Sequence, residues 1–277
     1  MTEAVIRTFT SSDGYLHHFR HWPHPNPRGI IVATHGIQSH SGWYLNSSSQ
    51  LAAAGYSVYF ADRRGSGMNT EKRGHADHGM RLVNDLRQLL ETARRDYAAK
   101  TPPVTLMGVS WGGKIAAAVA AVAPSEIDQL ALLYPGLSPQ INPTALQKLQ
   151  LRLAEFFDAR FHEVSIPLND ARLFTENADW QAFIRSDSLA LHTVTTGFLN
   201  SGRHLAEILH SGSSRITHPV LLMLAGHDRI IHNEMTRRLV CTFASPRILI
   251  RTWPEACHTL EFESDRETIF SEVIDWL

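Results

Sequence analysis

Cysteine, one-sided charge and long apolar runs are what this chain of 277 residues has least of. Its two cysteines, Cys241 and Cys257, make no disulfide framework, which fits a reducing compartment. A net charge of -1 leaves no electrostatic footprint for nucleic acid or an anionic surface. No apolar run reaches the length that crosses a bilayer. The opening residues, Met1-Thr2-Glu3-Ala4, show no basic stretch followed by an apolar one, so a secretory signal is not expected and a cytoplasmic location is. Repeats and low-complexity tracts are missing too. Without a Cys-x-x-Cys pair or a His-Glu-x-x-His motif, neither a metal nor a cofactor is expected. What remains, 43% hydrophobic and 19% charged residues, is an ordinary globular composition, long enough to bury a large core.

Histidine is the residue in excess, with sixteen copies. His17, His18, His21 and His24 cluster early, but a strand sends alternate side chains to opposite faces, so only His17 and His21 share one. The expectation is a solvated strand edge rather than a metal site.

Residues 5–9 and 15–22 read as strands joined through Asp13-Gly14, a hairpin signal. Apolar strands then alternate with helices: strands at 29–34, 56–61, 103–107 and 129–134, helices at 43–54, 78–99 and 114–123. Near-continuous apolar strands separated by helices predict a mostly parallel sheet covered on both faces, an α/β fold. From 138 to about 211 no such strand appears. Leu146, Leu149, Leu153 and Phe156 share a helical face there, and 180–191 and 194–209 give further helical patterns. The rhythm resumes with a strand at 220–224, a helix at 233–243, a strand at 248–250 and a closing helix from 265. The expected organisation is a core of 1–139 and 212–277, with a helical cap at 140–211. The 146–157 face packs on the core in one reading and touches a membrane surface transiently in another.

Ser110 lies in Gly108-Val109-Ser110-Trp111-Gly112, between the 103–107 strand and the following helix. That strand, turn and helix is the context of a G-x-S-x-G nucleophile elbow. The pentapeptide alone is weak evidence, so the case rests on partners. A serine hydroxyl needs a base, and the base needs an acid to fix its tautomer. Asp228 follows the 220–224 strand, and His258 follows the last strand. Both therefore sit on loops at the edge where open α/β sheets build sites. His227 is a disfavoured alternative base, because adjacent residues rarely face one another. The oxyanion needs two main-chain donors. Trp111, after the serine, supplies one candidate, and Ile37, in His35-Gly36-Ile37-Gln38 after the 29–34 strand, supplies the second. His35 is read as structural, and so is Asp62, with Arg63 or Arg64 ion-paired.

With these residues in place the chain resembles the α/β-hydrolase superfamily, in its capped monoacylglycerol lipase, lysophospholipase and serine aminopeptidase-like branch. The resemblance is carried by His35-Gly36, His40-Ser41-Gly42 with Tyr44, Asp62-Arg63-Arg64-Gly65-Ser66-Gly67, Arg73-Gly74-His75, the Ser110 elbow, Gly226-His227-Asp228 and the His258 segment ending in Glu261. It implies a Ser110, Asp228 and His258 triad, an Ile37 and Trp111 oxyanion hole, and a cap over the acyl pocket. Gln38, Ser39, Trp43, Val109, Trp111 and Lys114 depart from the usual residues around the hole and the mouth.

The expected activity is a serine hydrolase cleaving carboxylic esters, monoacylglycerol-like, lysophospholipid-like or other small acyl esters, through an acyl-enzyme on Ser110. A thioesterase or acyltransferase would use the same residues, and a ligand receptor on a hydrolase scaffold stands as a third alternative. A peptidase would need an acidic anchor, for which Glu71, Asp77, Glu163 and Asp170 are loose candidates. The expected partner is a small-molecule ester, not nucleic acid.

Overall fold

A computed structural model of the protein describes residues 3–140 and 160–277. Among them, eight strands form one sheet in the order β1-β2-β4-β3-β5-β6-β9-β10. β1 (Val5–Thr10) and β2 (Leu16–Trp22) form the hairpin announced by Asp13-Gly14, and β2 runs antiparallel to β4 (Tyr56–Ala61). From β4 onward, β3 (Gly29–Thr34), β5 (Val104–Val109), β6 (Gln129–Leu133), β9 (Val220–Ala225) and β10 (Ile248–Trp253) are all parallel. Every residue of β3, β5 and β9 is buried, because helices cover both faces, and this is why those strands read as unbroken apolar runs. Parallel neighbours end at one edge of the sheet. Thr34 pairs with Gly108, Val109 with Leu133, and Trp253 with Ala225, so the loops after β3, β5, β9 and β10 emerge together.

The flanking helices are α1 (Leu45–Ala53), α2 (Gly79–Asp96), α3 (Gly112–Val122), α4 (Ala178–Ser186), α5 (Thr196–Gly212), α6 (Asn233–Val240) and α7 (Arg266–Trp276). Among the described residues none is long and apolar enough to cross a membrane. Two short strands, β7 (Glu163–Ser165) and β8 (Thr193–Thr195), form a separate antiparallel ribbon within the segment expected to be a helical cap. α5 packs against the core helices. The Ser201 hydroxyl donates to Ala76 O just before α2, and Gly202 lies against the Trp111 indole. The amphipathic 146–157 stretch lies outside the described residues.

The early histidines depart from expectation. β2 is not an edge strand, since β1 covers it, and His17 and His21 are buried. His17 stacks on Phe9 and lies 3.2 Å from Ser11 Oγ and 3.4 Å from an Asp85 oxygen on α2. His21 stacks on Tyr59 and shares hydrogen bonds with Ser57 and Arg7. Burial pulls the His21 imidazole down to about 4, so it is a neutral core residue at physiological pH.

Candidate active site

Ser110 follows β5 directly with φ +50°, a left-handed conformation that costs a residue bearing a Cβ about 1–2 kcal/mol. Its own main chain restrains it: Ser110 N donates to Leu133 O at 3.0 Å, and Ser110 O accepts from Gly113 N at 2.8 Å and Gly136 N at 2.6 Å. The turn needs small neighbours. A Cβ on Gly112 would sit 2.6 Å from the carbonyl oxygens of Thr34 and His35, and that contact fixes how closely α3 approaches the end of β3.

The structure brings Ser110, His258 and Asp228 together across loops far apart in sequence. Ser110 Oγ lies 2.9 Å from His258 Nε2, and His258 Nδ1 lies 2.8 Å from Asp228 Oδ2. A carboxylate only accepts, so Nδ1 carries the proton and Nε2 is free to receive one from the serine. Asp228 is aimed in turn: its Oδ1 accepts from Ile230 N at 2.8 Å and Ile231 N at 2.9 Å. Gln140 holds the same loop through its side-chain amide, which donates to Asp228 O and Ile231 O. His258 and Asp228 are buried, whereas Ser110 is half-buried. Tyr134 and Phe174 stand edge-on to the imidazole with centroids at 4.9 and 6.0 Å, which keeps water off it. His227 points elsewhere, 4.0 Å from Glu255 at the surface.

The loop after β3 crosses in front of Ser110, so that a Cβ on Gly36 would lie 3.4 Å from Ser110 Oγ. The loop is tied from behind. His35 Nδ1 donates to Gly36 O at 2.8 Å while its Nε2 accepts from Arg63 N at 2.9 Å. Burial drives the His35 imidazole well below its ordinary value, which keeps it neutral and preserves this pattern. Gly36 N donates to Ser39 Oγ, which also bonds the Tyr44 hydroxyl. Among the described residues, the main-chain N–H groups of Ile37 and Trp111 find no internal partner. This is the state expected of donors reserved for a ligand.

Several residues that sequence reasoning left out shape this place. Asp187, just past α4, accepts from His40 Nε2 and Trp43 Nε1, and Leu191 N donates to Gln38 O. Residues 187–191 are thereby fastened to the loop after β3. Arg64 forms the expected ion pairs, with Asp85 and Asp13, whereas Arg63 forms none among the described residues. Arg63 Nη2 donates instead to Gly36 O and Ile37 O. Asp62 accepts from Ser41 N and Met68 N, as a structural turn residue should. Phe198 is fully buried, stacked on Trp111 at 4.5 Å. Of the four candidate acidic anchors, Asp77 pairs with His75 and Asp170 with Arg172, so these two are already engaged.

The profile of the serine aminopeptidase S33 family matches residues 25–265. Monoacylglycerol lipase of Mycolicibacterium smegmatis is 28% identical over 264 residues, covering 92% of this chain and 90% of that one. Monoglyceride lipase of Rattus norvegicus is 25% identical over 271 residues, covering 96% and 88%. Among solved structures, a soluble variant of the monoglyceride lipase from Saccharomyces cerevisiae, in complex with a substrate analog, superposes with a TM-score of 0.87 at 20% identity, covering 100% of this chain and 95% of that one. At that identity the superposition speaks for the fold.

Proposed function

The chain belongs to the serine aminopeptidase S33 family, in the monoacylglycerol lipase-like branch of the α/β-hydrolases, and from that premise we propose that it cleaves carboxylic esters through an acyl-enzyme on Ser110. At the coarser level it is an ester-hydrolysing enzyme of lipase or esterase type. The finer reading assigns His258 as the general base and Asp228 as the group that orients it and stabilises its cation. As Ser110 Oγ bonds to the carbonyl carbon, its proton passes to His258 Nε2 and the carbonyl electron pair moves onto oxygen. The Ile37 and Trp111 amides hold that oxyanion. Collapse expels the alcohol, which takes the proton from His258. Water then repeats the sequence and releases the acid.

The observation that most supports this reading is the continuous chain from Ser110 Oγ through His258 to Asp228, at 2.9 and 2.8 Å. The substrates proposed are monoacylglycerol-like or lysophospholipid-like esters or smaller acyl esters, with residues 140–211 as the cap over the acyl group.

The test is a fluorophosphonate probe followed by a panel of p-nitrophenyl esters of graded chain length. Labelling confined to Ser110, with many turnovers per site, is expected. Labelling with at most one turnover would turn the reading toward a ligand receptor. Faster reaction with acyl thioesters, or transfer to an added alcohol in preference to water, would turn it toward a thioesterase or acyltransferase.

A further inference from the structure

Arg63 is 4% exposed, and among the described residues it forms no ion pair. Asp62 is the carboxylate whose charge offsets its burial, but the Asp62 oxygens are engaged by main-chain N–H groups of Ser41 and Met68. One arm of the guanidinium, Nη2, donates to Gly36 O at 3.1 Å and Ile37 O at 2.8 Å. The other two nitrogens, Nε and Nη1, are buried and find no hydrogen-bond partner among the described residues. The flat group lies over the Trp111 ring at 5.1 Å and the Phe198 ring at 4.8 Å. A buried cation with idle donors is an unfavourable arrangement, and a core chosen for stability alone would avoid it.

The placement of that cation has a consequence. Gly36 C=O and Ile37 N–H belong to one trans peptide and point in opposite directions. His35 Nδ1 and Arg63 Nη2 both hold the Gly36 oxygen, so they set the plane of that peptide from behind. Donation to the oxygen also draws electrons from the peptide and strengthens the N–H at its far end as a donor. The same guanidinium touches Trp111, the residue carrying the second amide. We propose that Arg63 is a positioning residue for the oxyanion hole, which fixes the Gly36–Ile37 peptide with its N–H toward Ser110 and sets a positive charge behind the negative charge that develops there. The proposal rests on the ester-hydrolase reading above.

Arg63→Met and Arg63→Lys, with active sites counted by fluorophosphonate titration, test it. In Arg63→Met, turnover per titrated site should fall roughly 100- to 1,000-fold, the usual effect of losing one oxyanion donor, while KM moves by less than about threefold. A trifluoromethyl ketone, which forms a tetrahedral anion on serine, should lose affinity in parallel with kcat/KM. Arg63→Lys keeps the charge without the planar fork, and should recover about a tenth of wild-type turnover. Should Arg63→Met fail to fold, the same split of kcat from KM in Arg63→Lys carries the test. A merely structural role would reduce the number of titratable sites and leave turnover per site and ketone affinity unchanged; that result overturns the proposal. A wild type that neither labels nor turns over overturns the ester-hydrolase reading, and with it any hole for Arg63 to hold.

Discussion

The Asp187 carboxylate accepts the Nε2–H of His40 at 2.9 Å, and so joins the end of α4 to the loop that carries Ile37. Burial on its own would raise this carboxyl, but hydrogen bonds from His40 and Trp43 outweigh it and hold the group at about 2. Its contribution to stability is therefore complete above the ordinary aspartate range and is lost as pH falls toward 2. Asp187→Ala leaves two buried donors unpaired and should cost about 3 kcal/mol at neutral pH in urea denaturation. A loss under about 0.5 kcal/mol would show that the tie is ornamental.

The left-handed backbone of Ser110 predicts an ordering of variants. Ser110→Ala keeps the Cβ and its strain, whereas Ser110→Gly removes both. Ser110→Gly should be the more stable of the two by about 1 kcal/mol in urea denaturation, with neither hydrolysing esters. Equal stability would mean that the turn is not strained.

Glu261 gives a pH signature that does not involve the Ser110 chemistry. Burial pushes its carboxyl up to about 7, against hydrogen bonds from the first turn of α1, where Asn46 N and Ser47 N donate to Oε1. The folded chain thus binds this proton more tightly than the unfolded chain. The stability it contributes is present below about pH 4.5 and is lost as pH rises to about 7. Glu261→Gln removes the dependence, so its stability relative to wild type should increase between pH 5 and 7 and then level off. A difference that stays constant over that range would contradict the assignment.

Arg64 and Asp85 meet in two hydrogen bonds of 2.8 and 2.7 Å inside the core, linking the turn after β4 to α2. Truncating Arg64 strands the buried Asp85 charge, and truncating Asp85 leaves the buried guanidinium only the more exposed Asp13. Asp85→Ala should destabilise by about 3–5 kcal/mol, and the double variant Arg64→Met/Asp85→Leu by much less. Double-mutant denaturation measures both, and additive losses would rule out the coupling.

The sheet was legible because β3, β5 and β9 are buried on both faces and their sequences show it as unbroken apolar runs. The loops bearing Ser110, Asp228 and His258 were legible because a parallel sheet delivers the ends of its strands to one edge. What escaped depended on distant partners. The helical pattern at 180–191 continues past Ser186, but α4 stops there, and the next residue, Asp187, is engaged by His40 and Trp43, far back in the chain. His17 and His21 look like a solvated edge until β1 is seen to take the edge position and α2 to bring Asp85 to His17. Nothing local distinguishes Arg63 from Arg64. Only the fold sends one to a carboxylate and the other to a pair of carbonyl oxygens.

Rapid acid quench of the enzyme with a p-nitrophenyl ester, followed by peptide mass analysis, addresses the central claim most directly. The account predicts that the peptide containing Ser110 gains the mass of the acyl group during turnover, that this species vanishes in Ser110→Ala, and that it forms far more slowly in His258→Ala. Sustained hydrolysis with Ser110 never acylated, or acylation at another residue, would contradict it.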